Sequence, residues 1–181
     1  MLPNGLPRLP GVEALTLRTH RLDLTPITRA LAPEMFQLLN DSALYEYVTV
    51  SPPADVGALA GQYESWEGRR SPDESELWLN WALRQKDNRQ LIGHLQAGVL
   101  VDHAYLAWIL GTRWQHLGYA TEAAAAVVDF LLRLGVREIR ASINPLHKAS
   151  IRVAERIGLQ GTNDFNDGEL IWKRVYSSAN A

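Results

Sequence analysis

Hydrophobic positions along this chain change their period several times, and each change predicts an element. Leu15, Leu17, Leu22 and Leu24 flank a charged stretch and predict a first strand, stopped by Pro26. Residues 32–40 predict a helix with Pro33 in its first turn and Phe36, Leu38 and Leu39 as apolar contacts. Ser51-Pro52-Pro53 breaks the chain, and residues 54–69 then place Val56, Leu59, Ala60, Tyr63 and Trp66 at helical spacing. Residues 76–85, 90–100 and 104–110 predict three strands, the first two joined by Lys86-Asp87-Asn88-Arg89, which together read as an antiparallel meander. Residues 118–134 predict the central helix, ended by Gly135, and residues 138–143 a strand with Ile139, Ala141 and Ile143 on one face. A strand-helix-strand unit of this kind predicts a parallel pair. Asn144-Pro145 turns the chain into a short helix over 148–157, stopped by Gly158, and strands over 159–164 and 169–176 close a hairpin around Asn166-Asp167-Gly168.

Length and composition then narrow the class. A chain of 181 residues with 46% hydrophobic content fits one compact domain, here residues 12–181. The Pro- and Gly-rich residues 1–11 are expected to form a flexible tail. A net charge of −2 gives no basic footprint for nucleic acid or an anionic membrane. With no cysteine there is no disulfide, no thiolate nucleophile and no Cys-ligated metal, so thiol chemistry has to come from a cosubstrate. The apolar runs 104–110 and 123–128 fall well short of the roughly 20 residues of a spanning helix, and residues 1–11 lack a signal-peptide core. A soluble, cytoplasmic protein without a metal is the expectation.

The segment from Arg113 to Glu122 holds the most specific chemistry. A Gly-containing turn there runs into an Ala-rich helix, whose first N–H groups lack intrahelical partners and sit at the positive end of the dipole. They form a cradle for phosphate or pyrophosphate, with Gly118 and Ala120 small enough to let a ligand approach the backbone. Neither the nucleoside-triphosphate loop pattern nor the Gly-x-Gly-x-x-Gly dinucleotide pattern occurs.

Gln115-x-x-Gly118-x-Ala120 resembles the Gln/Arg-x-x-Gly-x-Gly/Ala signature of the GNAT superfamily of acetyl-CoA-dependent N-acetyltransferases. The runs Gly118-Tyr119-Ala120-Thr121-Glu122-Ala123 and 149–159, with Thr19 to Pro26, resemble the branch that acetylates ribosomal-protein N-termini, in the expected order across residues 15–175. That resemblance implies a mixed α/β (α+β) fold: a central, mostly antiparallel twisted sheet of about seven strands, splayed around a V-shaped cofactor wedge and flanked by about four helices. It implies acetyl-CoA as cosubstrate and direct transfer to a primary amine in a ternary complex, with no metal.

Residue by residue, the resemblance puts Trp108, Ile109 and Leu110 along the wedge and Gln115, His116, Leu117, Gly118, Tyr119 and Ala120 around the phosphates. It puts Asn144, His147 and Ser150 against the rest of the cofactor. Ser150 is then a candidate to protonate the leaving thiolate, beside the alternative of a helix-start serine bonding its own backbone. Three positions depart from the pattern: His147 stands where relatives usually carry Asn, Ala154 where many carry Tyr, and Tyr105 where they often carry Glu. Tyr105 is therefore the candidate at the general-base position, with His103, Asp102, Glu46 and Glu169 as substitutes. Tyr45, Tyr47, Trp66, Trp78 and Trp81 supply aromatic surface for an acceptor or for the core. A peptide α-amine, a small-molecule amine and a catalytically degenerate acyl-CoA-binding role remain open at this level, as does a monomer or a homodimer.

Overall fold

The computed structural model describes residues 5–11 and 15–177. Eight strands form one sheet: β1 (Leu17–Arg18), β2 (Leu22–Pro26), β3 (Leu77–Gln85), β4 (Leu91–Val99), β5 (Ala104–Leu110), β6 (Glu138–Ile143), β7 (Gln160–Asn166) and β8 (Glu169–Val175), in the order β1-β2-β3-β4-β5-β6-β8-β7. Four α-helices accompany it: α1 (Ala32–Leu39), α2 (Val56–Glu67), α3 (Tyr119–Arg133) and α4 (Lys148–Arg156). The sheet has one strand more than the expected seven. The first predicted strand divides because its charged middle turns back, so that Leu17 lies opposite Leu24. All neighbours are antiparallel except β5 and β6, joined through α3, which form the parallel pair that the strand-helix-strand pattern predicts.

The sheet divides the core in two. Toward α3 and α4, alternate strand residues such as Leu79, Trp81, Leu95, Leu106, Ile139 and Ala141 pack on Ala123, Ala124, Val127, Phe130 and Leu131. Toward α1 and α2, Met35, Leu39, Leu59 and Tyr63 cover Ala82 and Leu91. The proposed tail is described only from residue 5, and it is not wholly free. Leu6 is fully buried in the first of these clusters, because an apolar side chain beside the sheet removes its surface from water.

Helix ends follow local chemistry. Asp55 caps α2 by accepting from the Ala58 N–H at 2.7 Å. Removing this cap in Asp55→Ala is expected to lower stability by about 1 kcal/mol, a fall of about 2–4 °C in a thermal melt; an unchanged Tm would remove the cap from the account. α3 ends with Gly135 at φ +94°, its N–H donating to the Leu132 carbonyl while Val136 N–H donates to Leu131. The same paired bonds close α4 at Gly158. No helix among the described residues is long and apolar enough to cross a membrane.

Candidate active site

The site begins where β5 and β6 part. They pair only at Ala104 with Ile139 and Tyr105 with Arg140, and beyond Tyr105 the outer edge of β5 has no strand partner among the described residues. Its other edge remains in register with β4, with His94 opposite Ile109 and Leu95 opposite Trp108. The Gly111 N–H donates to the Ile92 carbonyl at 3.0 Å, and bonded pairs alternate along an antiparallel ladder. The main-chain groups of Ile109 therefore turn toward β4, and those of Trp108 and Leu110 turn toward the open wedge. A Cβ on Gly93 would lie 2.2 Å from the Ile109 carbonyl oxygen, the approach this ladder requires.

At the mouth of the wedge stands the start of α3. Gly118 caps it at φ +82° and ψ 0°, and His116 also has positive φ at +62°. These left-handed residues coil the 115–118 loop so that the first N–H groups of α3 remain free of side-chain caps. Gln115 braces the loop by donating from Nε2 to the Leu110 carbonyl at 3.1 Å. Behind it, Glu122 accepts from the Thr19 hydroxyl at 2.5 Å, the Arg21 N–H at 2.7 Å and Arg21 Nε at 2.6 Å. Arg21 Nη1 in turn donates to the Leu117 carbonyl, and the guanidinium lies 4.2 Å from the Tyr119 ring centre. Gln85 donates to the Tyr119 hydroxyl at 2.7 Å. The β1–β2 turn and the β3 terminus thus hold the cradle from behind.

Wedge and cradle open into one cavity of about 730 Å³. Trp108, Ile109, Leu110, Gln115, His116, Gly118, Tyr119, Ala120, His147 and Ser150 all line it. Leu117 and Asn144 do not. The Leu117 side chain is 53% exposed with its carbonyl bonded to Arg21, and Asn144 Oδ1 accepts from the Leu146 N–H, closing the turn before α4. Ser150, only 9% exposed, is held on the buried side of α4, and no hydrogen bond ties its hydroxyl to the described residues.

Tyr105 stands apart from this constellation and does not line the cavity. It lies four residues before Ile109, about 13 Å along an extended strand, where β5 and β6 are still paired. Its ring packs edge-on against His103, centroids 5.0 Å apart, and near the Arg140 guanidinium. His103 is bonded to Asp102 at 2.7 Å, in the same cluster. Of the proposed substitutes for a base, only Glu46 lines the cavity; Asp102, His103 and Glu169 do not.

The 42–53 segment forms the opposite wall. The Tyr47 ring stacks on His147 at 5.1 Å and 18°. Burial pulls the His147 imidazole below its ordinary range, only partly opposed by the Glu46 carboxylate, so the ring is neutral near pH 7. Tyr45 and Trp66 also line the cavity, whereas Trp81 belongs to the core and Trp78 donates to Glu76. Two groups escaped sequence reasoning. Lys148, Arg152 and Arg156 line the cavity from the exposed face of α4, and their four-residue spacing was legible as one helical stripe. His94, on β4, had no local signal at all. Together these parts offer an anion cradle, an unpaired strand edge able to receive an extended amide-bearing chain, and a pocket beyond it for a second reactant.

Comparison with known proteins agrees with this arrangement. The sequence model described as the acetyltransferase (GNAT) domain matches residues 21–160. The uncharacterized N-acetyltransferase YnaD of Bacillus subtilis (strain 168) is 31% identical over 160 residues, spanning 82% of this chain and 92% of that protein. A GNAT-family acetyltransferase from Bacillus anthracis superposes with a TM-score of 0.72 at 16% identity, over 88% of this chain and 98% of the other. RimL, a ribosomal L7/L12 α-N-protein acetyltransferase solved with coenzyme A, gives 0.72 at 14% identity, over 87% and 96%.

Proposed function

Because the chain belongs to the acetyltransferase (GNAT) domain family and is an acetyltransferase, we propose that it takes its acetyl group from acetyl-CoA and delivers it to the α-amine of a protein or peptide N-terminus. The observation that carries this reading is the junction of the unpaired β5 edge with the uncapped start of α3, opening into one cavity. The residues fit the cosubstrate. The α3 N–H groups and the Lys148, Arg152 and Arg156 stripe suit its phosphates, and the main-chain groups of Trp108 and the N–H of Leu110 suit its pantetheine amides. The likeness to RimL supports a peptide acceptor.

Acetyl-CoA supplies an activated thioester, so the protein has to position two reactants, stabilise an oxyanion and manage protons. A main-chain N–H of Trp108 or Leu110 faces the wedge and serves the oxyanion. Ser150, which lines the cavity, is the proposed proton donor to the departing thiolate. The sequence has no cysteine to form a thioester acyl-enzyme, and the route proposed is direct attack by the amine in a ternary complex.

The test is a calorimetric titration with acetyl-CoA followed by thiol-release assays on peptides of varied N-terminal residue and on small amines. Acetyl-CoA binding with peptide-dependent release supports the proposal; turnover of small amines alone overturns the peptide acceptor, and binding without any acceptor-dependent release assigns a binding role instead. Ser150→Ala is expected to lower kcat about tenfold with acetyl-CoA affinity unchanged. An unaltered kcat would leave water as the proton source.

A further inference from the structure

His94 is a buried polar side chain of the cavity lining whose ring Nδ1 has no hydrogen-bond partner among the described residues. It sits in the middle of β4, directly between Ala82 on β3 and Ile109 on β5, on the face turned toward α2. It is 9% exposed, Trp66 meets its ring edge-on at 6.5 Å, and it lines the cavity beside Ile109. Its Nδ1 is enclosed and has no hydrogen-bond partner. Burial pushes its pKa down to about 4, so the imidazole is neutral across the physiological range. A buried polar group left unpaired lowers stability, and a leucine would fill the same space without that penalty. With Nδ1 enclosed, Nε2 is the ring nitrogen left open to the cavity, without a partner among the described residues, for a group that arrives with the substrate.

We propose that His94 is the acceptor-binding residue, its imidazole hydrogen-bonding the nitrogen of the incoming amine and holding it against the β5 edge. The inference rests on the acetyl-transfer reading above. Ile109, opposite His94, lies between Trp108 and Leu110, whose N–H groups turn to the wedge, so His94 stands one strand away from the edge along which the thioester would lie. A neutral ring accepts an N–H and leaves the nitrogen lone pair free for attack on the thioester. The transfer balances without a proton resting on His94: the C–N bond forms, the C–S bond breaks, and the proton lost by nitrogen ends on the departing thiolate.

The test compares wild type, His94→Leu and His94→Gln by calorimetry. The probes are acetyl-CoA and two conjugates in which the CoA sulfur is joined through an acetyl linker to a Ser-initiated tetrapeptide amide or to phenylethylamine. Wild type is expected to bind one conjugate more tightly than acetyl-CoA. His94→Leu should lose about tenfold of that added affinity, His94→Gln should recover part of it, and all three should bind acetyl-CoA within about twofold. In thermal melts without ligand, His94→Leu should rise by about 2 °C or more, since an apolar side chain replaces an unpaired polar one. Conjugate affinity unchanged in His94→Leu, or no gain from either conjugate in a wild type that binds acetyl-CoA, would overturn the role of His94. Failure of wild type to bind acetyl-CoA would overturn the transferase reading instead.

Discussion

Gly118→Val is expected to weaken acetyl-CoA binding by about a hundredfold or more while leaving a folded protein. Gly118 is the cap of α3 at φ +82°, a left-handed conformation that a β-branched residue adopts only with strain of about 1–2 kcal/mol or more. A Cβ there would meet Arg21 Nη2 at 3.4 Å, an ordinary contact, so the backbone conformation carries the cost. The turn must therefore reopen, and the first α3 N–H groups no longer converge. Two charge-assisted bonds to phosphate, each about 1.5–3 kcal/mol, account for the hundredfold. Gly118→Ala keeps the small profile and should lose roughly tenfold or less. Calorimetry with acetyl-CoA reads both, with circular dichroism confirming the fold; wild-type affinity in a folded Gly118→Val protein would remove the cradle from the account.

The second large effect falls on stability. Glu122→Gln should lower it by about 3 kcal/mol, or roughly 6–12 °C in Tm, because one carboxylate holds the Thr19 hydroxyl and two Arg21 donors together. Burial raises the Glu122 pKa, but the bonds from Thr19 and Arg21 and the Arg21 charge outweigh it, and the carboxyl sits below its ordinary value of 4.5. A depressed folded pKa means the unfolded chain binds more protons, so this contribution is fully present above pH 4.5 and fades as pH falls through the folded value. The Tm gap between wild type and Glu122→Gln should accordingly narrow below about pH 4.5. A gap constant with pH would mean that the carboxylate charge has no part in joining the β1–β2 turn to α3.

Much of this architecture follows from local pattern. The short unbroken apolar run of β5, the Ala-rich face of α3 and the alternating Ile139, Ala141 and Ile143 of β6 place three elements nearly to the residue, because run length and period follow each element's geometry. The first strand was harder to read. Whether Leu17 and Leu24 lie along one strand or face each other across a turn depends on a pairing the sequence does not state. Leu6 likewise sits in a Pro-rich segment with no periodicity, and its burial depends on a neighbouring surface.

The same division runs through the site. Gln115, Gly118 and Ala120 were legible because a short loop and a helix start form their cradle within six residues of chain. Through its resemblance to the GNAT superfamily the sequence by itself determined the fold class and the acetyltransferase family, and residue type with short-range spacing marked the loop before α3 and the lack of a cysteine. The tertiary structure alone separated Tyr105 from the cavity, freed the Ser150 hydroxyl and set His94 opposite Ile109. Those relations join residues on different strands and helices, and strand register and the parting of β5 from β6 are properties of the assembled sheet, where burial and hydrogen bonding are settled together.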